Sequence, residues 1–111
     1  TGDEVVAPDQ KPSGGQIRDI NTYTCAALTL QAGGTPITMG IIPDDYDALR
    51  NACLQGMQEA DMVIISAGSS VSTRDLTAEV LGSLGEPGVL AHGVAVKPGN
   101  RYVFGHTDAL A

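Results

Sequence analysis

The sequence predicts an α/β domain in which a mostly parallel sheet lies between layers of helices. Segments with apolar residues at helical spacing alternate with short apolar runs along the 111 residues. Residues 62–66, "MVIIS", form a continuous apolar run, which is typical of a strand covered on both faces. Helices placed between such strands act as crossovers, and crossover connections favour parallel pairing.

Three helices are expected, each from a stripe of apolar residues. The first covers residues 19–30, with Asp19 or Asn21 as its N-cap and two glycines at its end. The second lies within residues 43–62, and acids in its first turn suit the helix dipole. The third covers residues 75–85. The stripes are Ile20, Tyr23, Ala27 and Leu30; Tyr46, Leu49, Cys53 and Met57; and Leu76, Val80, Leu81 and Leu84.

Four strands are expected, over residues 35–42, 62–66, 88–96 and 101–105. The stretch "TGDE", residues 1–4, is expected at the carboxyl end of another strand. No internal repeat and no linker divides the chain, so we expect one domain.

The charge balance narrows the classes of partner. The net charge is -7 and the sequence pI is about 4.4. Such an acidic surface argues against nucleic acid and against anionic membranes, which both attract basic patches. No apolar run approaches transmembrane length, so we expect no membrane partner and a cytoplasmic location. Cys25 and Cys53 have no nearby Cys or His at metal-ligand spacing and are interpreted as small buried apolar residues.

A serine-rich loop follows the apolar run of residues 62–66. In open parallel sheets, ligands bind beyond the carboxyl ends of the strands. Small residues let backbone N–H groups face a ligand, and a helix N-terminus adds positive potential, so the loop predicts a phosphate or oxyanion site. It matches neither the Walker A loop nor the Rossmann fingerprint. A plain strand-to-helix turn capped by Ser and Thr stays open as the alternative.

Acids and a lysine are expected at the same sheet edge as the serine loop. Glu4, Asp44 and Asp75 would converge there with Lys97. A carboxylate beside an anion site repels the anion unless a cation such as Mg²⁺ lies between them, so this arrangement predicts a metal. Lys97 would contact the phosphate as a point charge.

Each of these residues also has a purely structural interpretation. Asp44 and Asp75 suit helix N-caps, and Glu4 suits a solvated strand end. The stretch from Lys97 to Gly99 suits a turn.

The polar motifs occur together in a recognisable order. They are "TGDE", "GGQIRDIN", "GIIPDD", "SAGSSVSTRDLT" and "HGVAVKPG". In this order and spacing the chain resembles the molybdopterin-binding domain of the MoeA/gephyrin-E type, the molybdopterin molybdenumtransferases, over nearly its whole length. The resemblance implies a three-layer α/β/α sandwich that binds molybdopterin. It also implies an enzyme that takes adenylylated molybdopterin and molybdate and, with Mg²⁺, releases AMP and molybdenum cofactor.

The resemblance also implies roles for particular residues. It places Glu4, Asp44, Asp75 and Lys97 in the active site, the three acids as metal ligands. The residues implied to bind molybdopterin are Gly68, Ser69, Ser70, Ser72, Pro98 and Gly99. The usual loop of the family is closer to S-G-G-V-S-V-G, so the loop in this chain is stiffer and more polar.

The sequence lacks the apolar strand that precedes "TGDE" in the family and a later G-L-P-G-N-P-like segment, so we expect a fragment of a larger protein. The resemblance also implies a homo-oligomer, a dimer or a trimer.

The resemblance leaves other activities open beside that of the MoeA type. A MogA-type enzyme would adenylylate molybdopterin with ATP, and a CinA-type enzyme would act in nucleotide salvage; "HGVAVKPG" favours the MoeA type over both. A non-catalytic module that carries or senses the cofactor is the remaining alternative.

Overall fold

The computed structural model describes residues 1–66, 71–92 and 103–107, but not the side chains of residues 71–75, 92 and 103–107. Two strands come first, three helices follow and two strands come last. The predicted alternation of strands and helices is not seen in the described residues, because residues 35–42 and 62–66, which lie between the helices, form no ladder there. The elements in order are β1 (Val5–Val6), β2 (Ile17–Arg18), α1 (Asn21–Gln31), α2 (Tyr46–Glu59), α3 (Val71–Ser83), β3 (Pro87–His92) and β4 (Val103–Thr107).

All three predicted helices are present, and their starts differ in an informative way. The Asp19 carboxylate accepts the backbone N–H of Thr22 at 3.1 Å at the start of α1. The N-cap position is nevertheless occupied by Ile20, and Asn21 is the first helical residue, so the prediction of Asp19 or Asn21 as the N-cap is wrong. At the start of α2, Asp45 is the N-cap and accepts the N–H of Ala48 at 2.8 Å. The structural interpretation of Asp44 as this N-cap is therefore wrong, because its neighbour satisfies the helix terminus.

The helix α3 begins earlier than its apolar stripe predicts. The sequence places its start near residue 75, whereas the helix already includes Val71. Ser72 and Asp75 therefore lie on the first turns of α3, not in the loop before it. Serine and threonine are tolerated in a first turn, where they compete least with helical hydrogen bonds, so the stripe alone underestimates the helix.

The buried core lies between α2 and α3. Leu49 and Cys53 of α2 are each 2% exposed, Val80 of α3 is fully buried and Leu84 is 8% exposed. These residues come from the predicted stripes, so the helical periodicity is confirmed for both helices. Burial raises the pKa of the Cys53 thiol, because the charged thiolate loses its solvation. Cys53 is thus the buried apolar residue that the sequence predicts, whereas Cys25 is only half-buried.

Two short ladders pair the strands. β1 and β2, which the sequence did not predict as strands, are parallel, with Val5 opposite Ile17. β3 and β4 are antiparallel, with an irregularity between Val89 and Ala91. The strand predicted over residues 88–96 is confirmed as far as His92, and its remaining residues lie outside the described part of the chain.

Two predicted strands form no ladder within the described residues. Residues 35–42 and 62–66 are assigned to no β-sheet there. A ladder requires a neighbouring segment whose N–H and C=O groups alternate with those of the strand. Residues 1–2 form hydrogen bonds only with the last residue of each segment, Ile42 and Ser66. The rest of each segment therefore has no strand partner among the described residues.

The apolar stripe of α1 is exposed. Ile20 is 69% exposed, Tyr23 60% and Leu30 62%, and none of the residues of this helix is buried. The helix is confirmed, but the packing that its stripe predicts is absent among the described residues. Among the described helices, none has both the length and the apolar character that a membrane span would need.

Candidate functional site

The first residues of the chain lie against the ends of two predicted strands. The backbone N–H of Gly2 donates to the carbonyl of Ile42 at 3.3 Å. The amino group of Thr1 donates to the carbonyl of Ser66, the last described residue before the serine-rich loop. Parts of three polar motifs therefore meet at one place, although residues 35–42 and 62–66 belong to no sheet within the described residues.

Two acids join the first turn to the turn before α2. The backbone N–H of Asp44 donates to Oδ1 of Asp3 at 3.1 Å. In return, the backbone N–H of Asp3 donates to Oδ2 of Asp44 at 3.4 Å. Each carboxylate thus binds the main chain of the other residue. The segments that this pair joins, residues 1–4 and 43–45, are called the acidic turns below.

One oxygen of Asp44 is left without a hydrogen bond inside this arrangement. Its Oδ1 atom is buried and accepts no hydrogen bond from the described residues. A carboxylate oxygen withdrawn from water loses its solvation and needs a donor or a cation in exchange. Asp44 is therefore the described acid whose surroundings fit a bound cation or a hydrogen-bond donor on a ligand.

Glu4 occupies space that the missing side chain of Gly2 leaves open. A Cβ atom built on Gly2 would lie 2.6 Å from Oε2 of Glu4 and 3.0 Å from its Cδ. Gly2 is buried and has a φ of 134°, which side-chain-bearing residues rarely adopt. The glycine of "TGDE" therefore permits both the backbone turn and the position of the Glu4 carboxylate. The backbone of Glu4 is held by Ile17, whose N–H donates to the Glu4 carbonyl at 2.8 Å.

A small cleft opens beside the acidic turns, at the start of α1. Its polar lining includes residues that sequence reasoning did not select as site residues, although their motif "GGQIRDIN" is part of the resemblance. The polar residues that line it are Thr1, Asp19, Asn21, Thr22 and Ser66. The signal that points to them is their position, since α1 begins directly after the short parallel strand β2.

The remaining predicted site residues fall largely outside the described part of the chain. Ser72 and Asp75 lie on the first turns of α3, and only the backbone of residues 71–75 is described. The others are Gly68, Ser69, Ser70, Lys97, Pro98 and Gly99, all outside the described residues. The structure therefore joins the turns that carry Glu4 and Asp44 through Asp3. The predicted convergence of Glu4, Asp44, the serine loop and Lys97 on one site stays a prediction.

The donor set of the acidic turns fits a magnesium ion in part. Mg²⁺ is usually bound by one or two carboxylates together with waters and substrate phosphates. The free Oδ1 of Asp44 is a donor of this kind. No group of three His, Cys, Asp or Glu side chains suited to a metal occurs in the described part of the chain. The described acids thus suit a cation shared with a ligand better than a closed metal cage.

Comparison with known proteins gives the same family for the whole chain. The family described as "Probable molybdopterin binding domain" matches residues 1–110. A molybdopterin molybdenumtransferase of Nostoc sp. is 41% identical over 99 residues, which cover 89% of this chain and 22% of the relative. The molybdopterin molybdenumtransferase of Haemophilus influenzae is 35% identical, over 97% of this chain and 26% of the relative.

A solved structure extends the likeness to the fold. The molybdopterin biosynthesis MoeA protein from Pyrococcus horikosii superimposes with a TM-score of 0.80 at 35% identity, over 97% of this chain and 26% of that protein. The likeness confirms the predicted α/β fold class of the MoeA type. The chain spans about a quarter of the length of the relatives that it matches. With a family match over nearly every residue, the chain belongs to the probable molybdopterin-binding domain family.

Proposed function

We propose that this chain is the molybdopterin-binding catalytic domain of a molybdenum-inserting transferase. The reaction takes adenylylated molybdopterin and molybdate with Mg²⁺ and releases AMP and molybdenum cofactor. Relatives from two bacteria bear the name molybdopterin molybdenumtransferase, and the similar solved structure is a MoeA protein. These likenesses favour the MoeA type over the MogA-type adenylyltransferase. Because the chain spans about a quarter of these relatives, we propose that it acts as one domain of a longer protein.

The observation that carries the proposal is the unpaired oxygen of Asp44. The oxygen is buried, its carboxylate is held by the first turn, and the Asp45 cap relieves Asp44 of a structural duty. The Oδ2 atom of Asp44 joins the two acidic turns, whereas its Oδ1 atom has no partner among the described residues, and a ligand or a cation would satisfy Oδ1. A small polar cleft lined by Thr1 and Ser66 lies near the first turn, although Asp44 itself does not line it.

In the proposed site, Asp44, Glu4 and Asp75 would hold Mg²⁺. A cation held there would supply positive charge to the phosphate oxygens of the substrate. Lys97 would contact a phosphate of the substrate as a point charge. The proposed molybdopterin-binding residues are Gly68, Ser69, Ser70, Ser72, Pro98 and Gly99. We also propose a cytoplasmic dimer or trimer, as the sequence resemblance implies.

The test is AMP release by the longer protein that contains this chain, supplied with adenylylated molybdopterin, molybdate and Mg²⁺. We expect molybdate-dependent release that falls by about a hundredfold in Asp75→Asn, because loss of a group that stabilises developing charge has this order of effect. Asp61→Asn is the matched control, since Asp61 is an exposed acid that is not among the proposed site residues.

Two other results would assign a different function. Absence of AMP release from every variant, with molybdopterin still bound, would contradict the transferase and support a non-catalytic binding module. Release of pyrophosphate from ATP in the presence of molybdopterin would instead indicate a MogA-type adenylyltransferase.

A further inference from the structure

We propose that Asp3 is a positioning residue that turns Asp44 toward the ligand. Asp3 precedes the predicted catalytic Glu4, and its backbone and side chain both bind Asp44. The inference rests on the proposed function in one respect, namely that Asp44 acts on a cation or a phosphate. The contact between Asp3 and Asp44 does not depend on the proposed reaction, and hydrogen exchange of the Asp44 amide reports on it directly.

The pair fixes which oxygen of Asp44 faces inward. The N–H of Asp3 is bound to Oδ2 of Asp44, and this contact limits rotation of the carboxyl group. The other oxygen, Oδ1, is thereby the one left in the buried position. The donor is a main-chain N–H that alanine at position 3 would keep, so the Asp3 side chain acts on this contact only by holding the two turns in register.

The return contact holds the main chain of Asp44 in register with the first turn. Its N–H donates to Oδ1 of Asp3 over a separation of 41 residues along the chain. The N–H of Gly2 adds a second tie, to Ile42. Because Asp45, the next residue, is the N-cap of α2, Asp44 is held between a helix terminus and the first turn. Small changes in this pair therefore alter the direction of the Asp44 side chain.

Asp3 acts through Asp44 and is not itself the ligand-facing acid. Its side chain is exposed, whereas the free oxygen of Asp44 is buried. The role of Asp3 thus depends on a hydrogen-bond acceptor at Oδ1 and not on its charge. Asparagine keeps this acceptor and removes the charge, whereas alanine removes both.

The experiment compares Asp3→Asn, Asp3→Ala and the control Asp9→Ala in the longer protein that contains this chain. Asp9 is an exposed acid of a loop outside the acidic turns. Three quantities are measured: hydrogen exchange of the Asp44 amide, binding of Mn²⁺ in place of Mg²⁺ by the loss of its free EPR signal, and AMP release. Binding that persists in Asp44→Asn is subtracted as Mn²⁺ held elsewhere in the protein.

We expect Asp3→Ala to speed exchange of the Asp44 amide about tenfold, the order expected for one lost hydrogen bond. We also expect about tenfold weaker Mn²⁺ binding, since residues that orient a metal ligand have effects of this order. Asp3→Asn should stay within about twofold of the unaltered protein in all three quantities, because it keeps the acceptor. Asp9→Ala should change none of them.

Three results would overturn the inference. An equal loss of Mn²⁺ binding in Asp3→Asn and Asp3→Ala would show that the charge of Asp3 matters, as for a direct ligand. Unchanged amide exchange in Asp3→Ala would show that the pair is absent. Faster exchange with unaltered Mn²⁺ binding would show that the pair positions nothing. If no variant releases AMP, the proposed reaction fails, and amide exchange with Mn²⁺ binding still decide the role of Asp3.

Discussion

The acidic turns lead directly into α2 of the helical core through its N-cap Asp45, yet the two regions are stabilised in opposite ways. Between α2 and α3, apolar side chains such as Leu49 and Val80 are buried against one another. In the acidic turns, two like charges bind each other's backbone and one carboxylate oxygen remains unpaired. The difference teaches that neighbouring residues can have opposite roles: Asp45 stabilises the fold as a helix cap, whereas the environment of Asp44 suits a ligand.

The acidic turns therefore weaken the fold in a way that the core must offset. A buried acceptor without a partner costs about 1–3 kcal/mol. Burial of an apolar side chain of the size of leucine contributes a similar or larger amount. Departures from local consistency of this kind concentrate at functional sites. Substitutions in the two regions should consequently separate stability from binding.

The largest effect on stability is expected for Leu49→Ala in the core. Leu49 is 2% exposed, and its loss leaves a cavity between α2 and α3, so the free energy of unfolding should fall by about 3 kcal/mol. Urea unfolding followed by circular dichroism measures it. The matched control is Leu30→Ala on α1, where the side chain is 62% exposed and a change below about 0.5 kcal/mol is expected. Equal effects of the two substitutions would contradict the described core.

A smaller loss, about 2 kcal/mol, is expected for Gly2→Ala in the acidic turns. The φ of 134° strains any side chain, and the new Cβ would displace the Glu4 carboxylate. The control is Gly14→Ala, because a Cβ there meets no atom within 4 Å. Thermal unfolding of both variants should show a lower midpoint for Gly2→Ala alone. A matching midpoint in the two variants would mean that Gly2 carries no special constraint.

Sequence periodicity predicted the helices well because it reports a property of each segment by itself. The stripes over α2 and α3 pack as expected, and α1 forms although its stripe stays exposed. The apolar runs at residues 35–42 and 62–66 were less informative, since a ladder also needs a partner segment that no local pattern specifies. Local sequence therefore indicated which segments are helical but not which apolar faces are covered.

The candidate site was also predictable only in part, because some of its features follow from local sequence and others arise from contacts between distant segments. Residues 1–4 and Asp44 were both predicted at strand ends, so the meeting of these two turns could be expected from the topology of an α/β sheet. The choice between Asp44 and Asp45 as the helix cap could not, because both residue types and positions suit a cap. The pairing of Asp3 with Asp44 spans 41 residues and arises only when the two turns meet in the fold.

The most direct test of the central claim compares Mn²⁺ binding by Asp44→Asn and Asp45→Asn in the longer protein that contains this chain. Both variants lose one negative charge, and asparagine still caps α2 at residue 45, so neither should lose more than about 0.5 kcal/mol of stability. We predict that Asp44→Asn weakens Mn²⁺ binding at least about tenfold, whereas Asp45→Asn leaves it within about twofold. Equal binding by the two variants would contradict the claim that Asp44 is the ligand-facing acid.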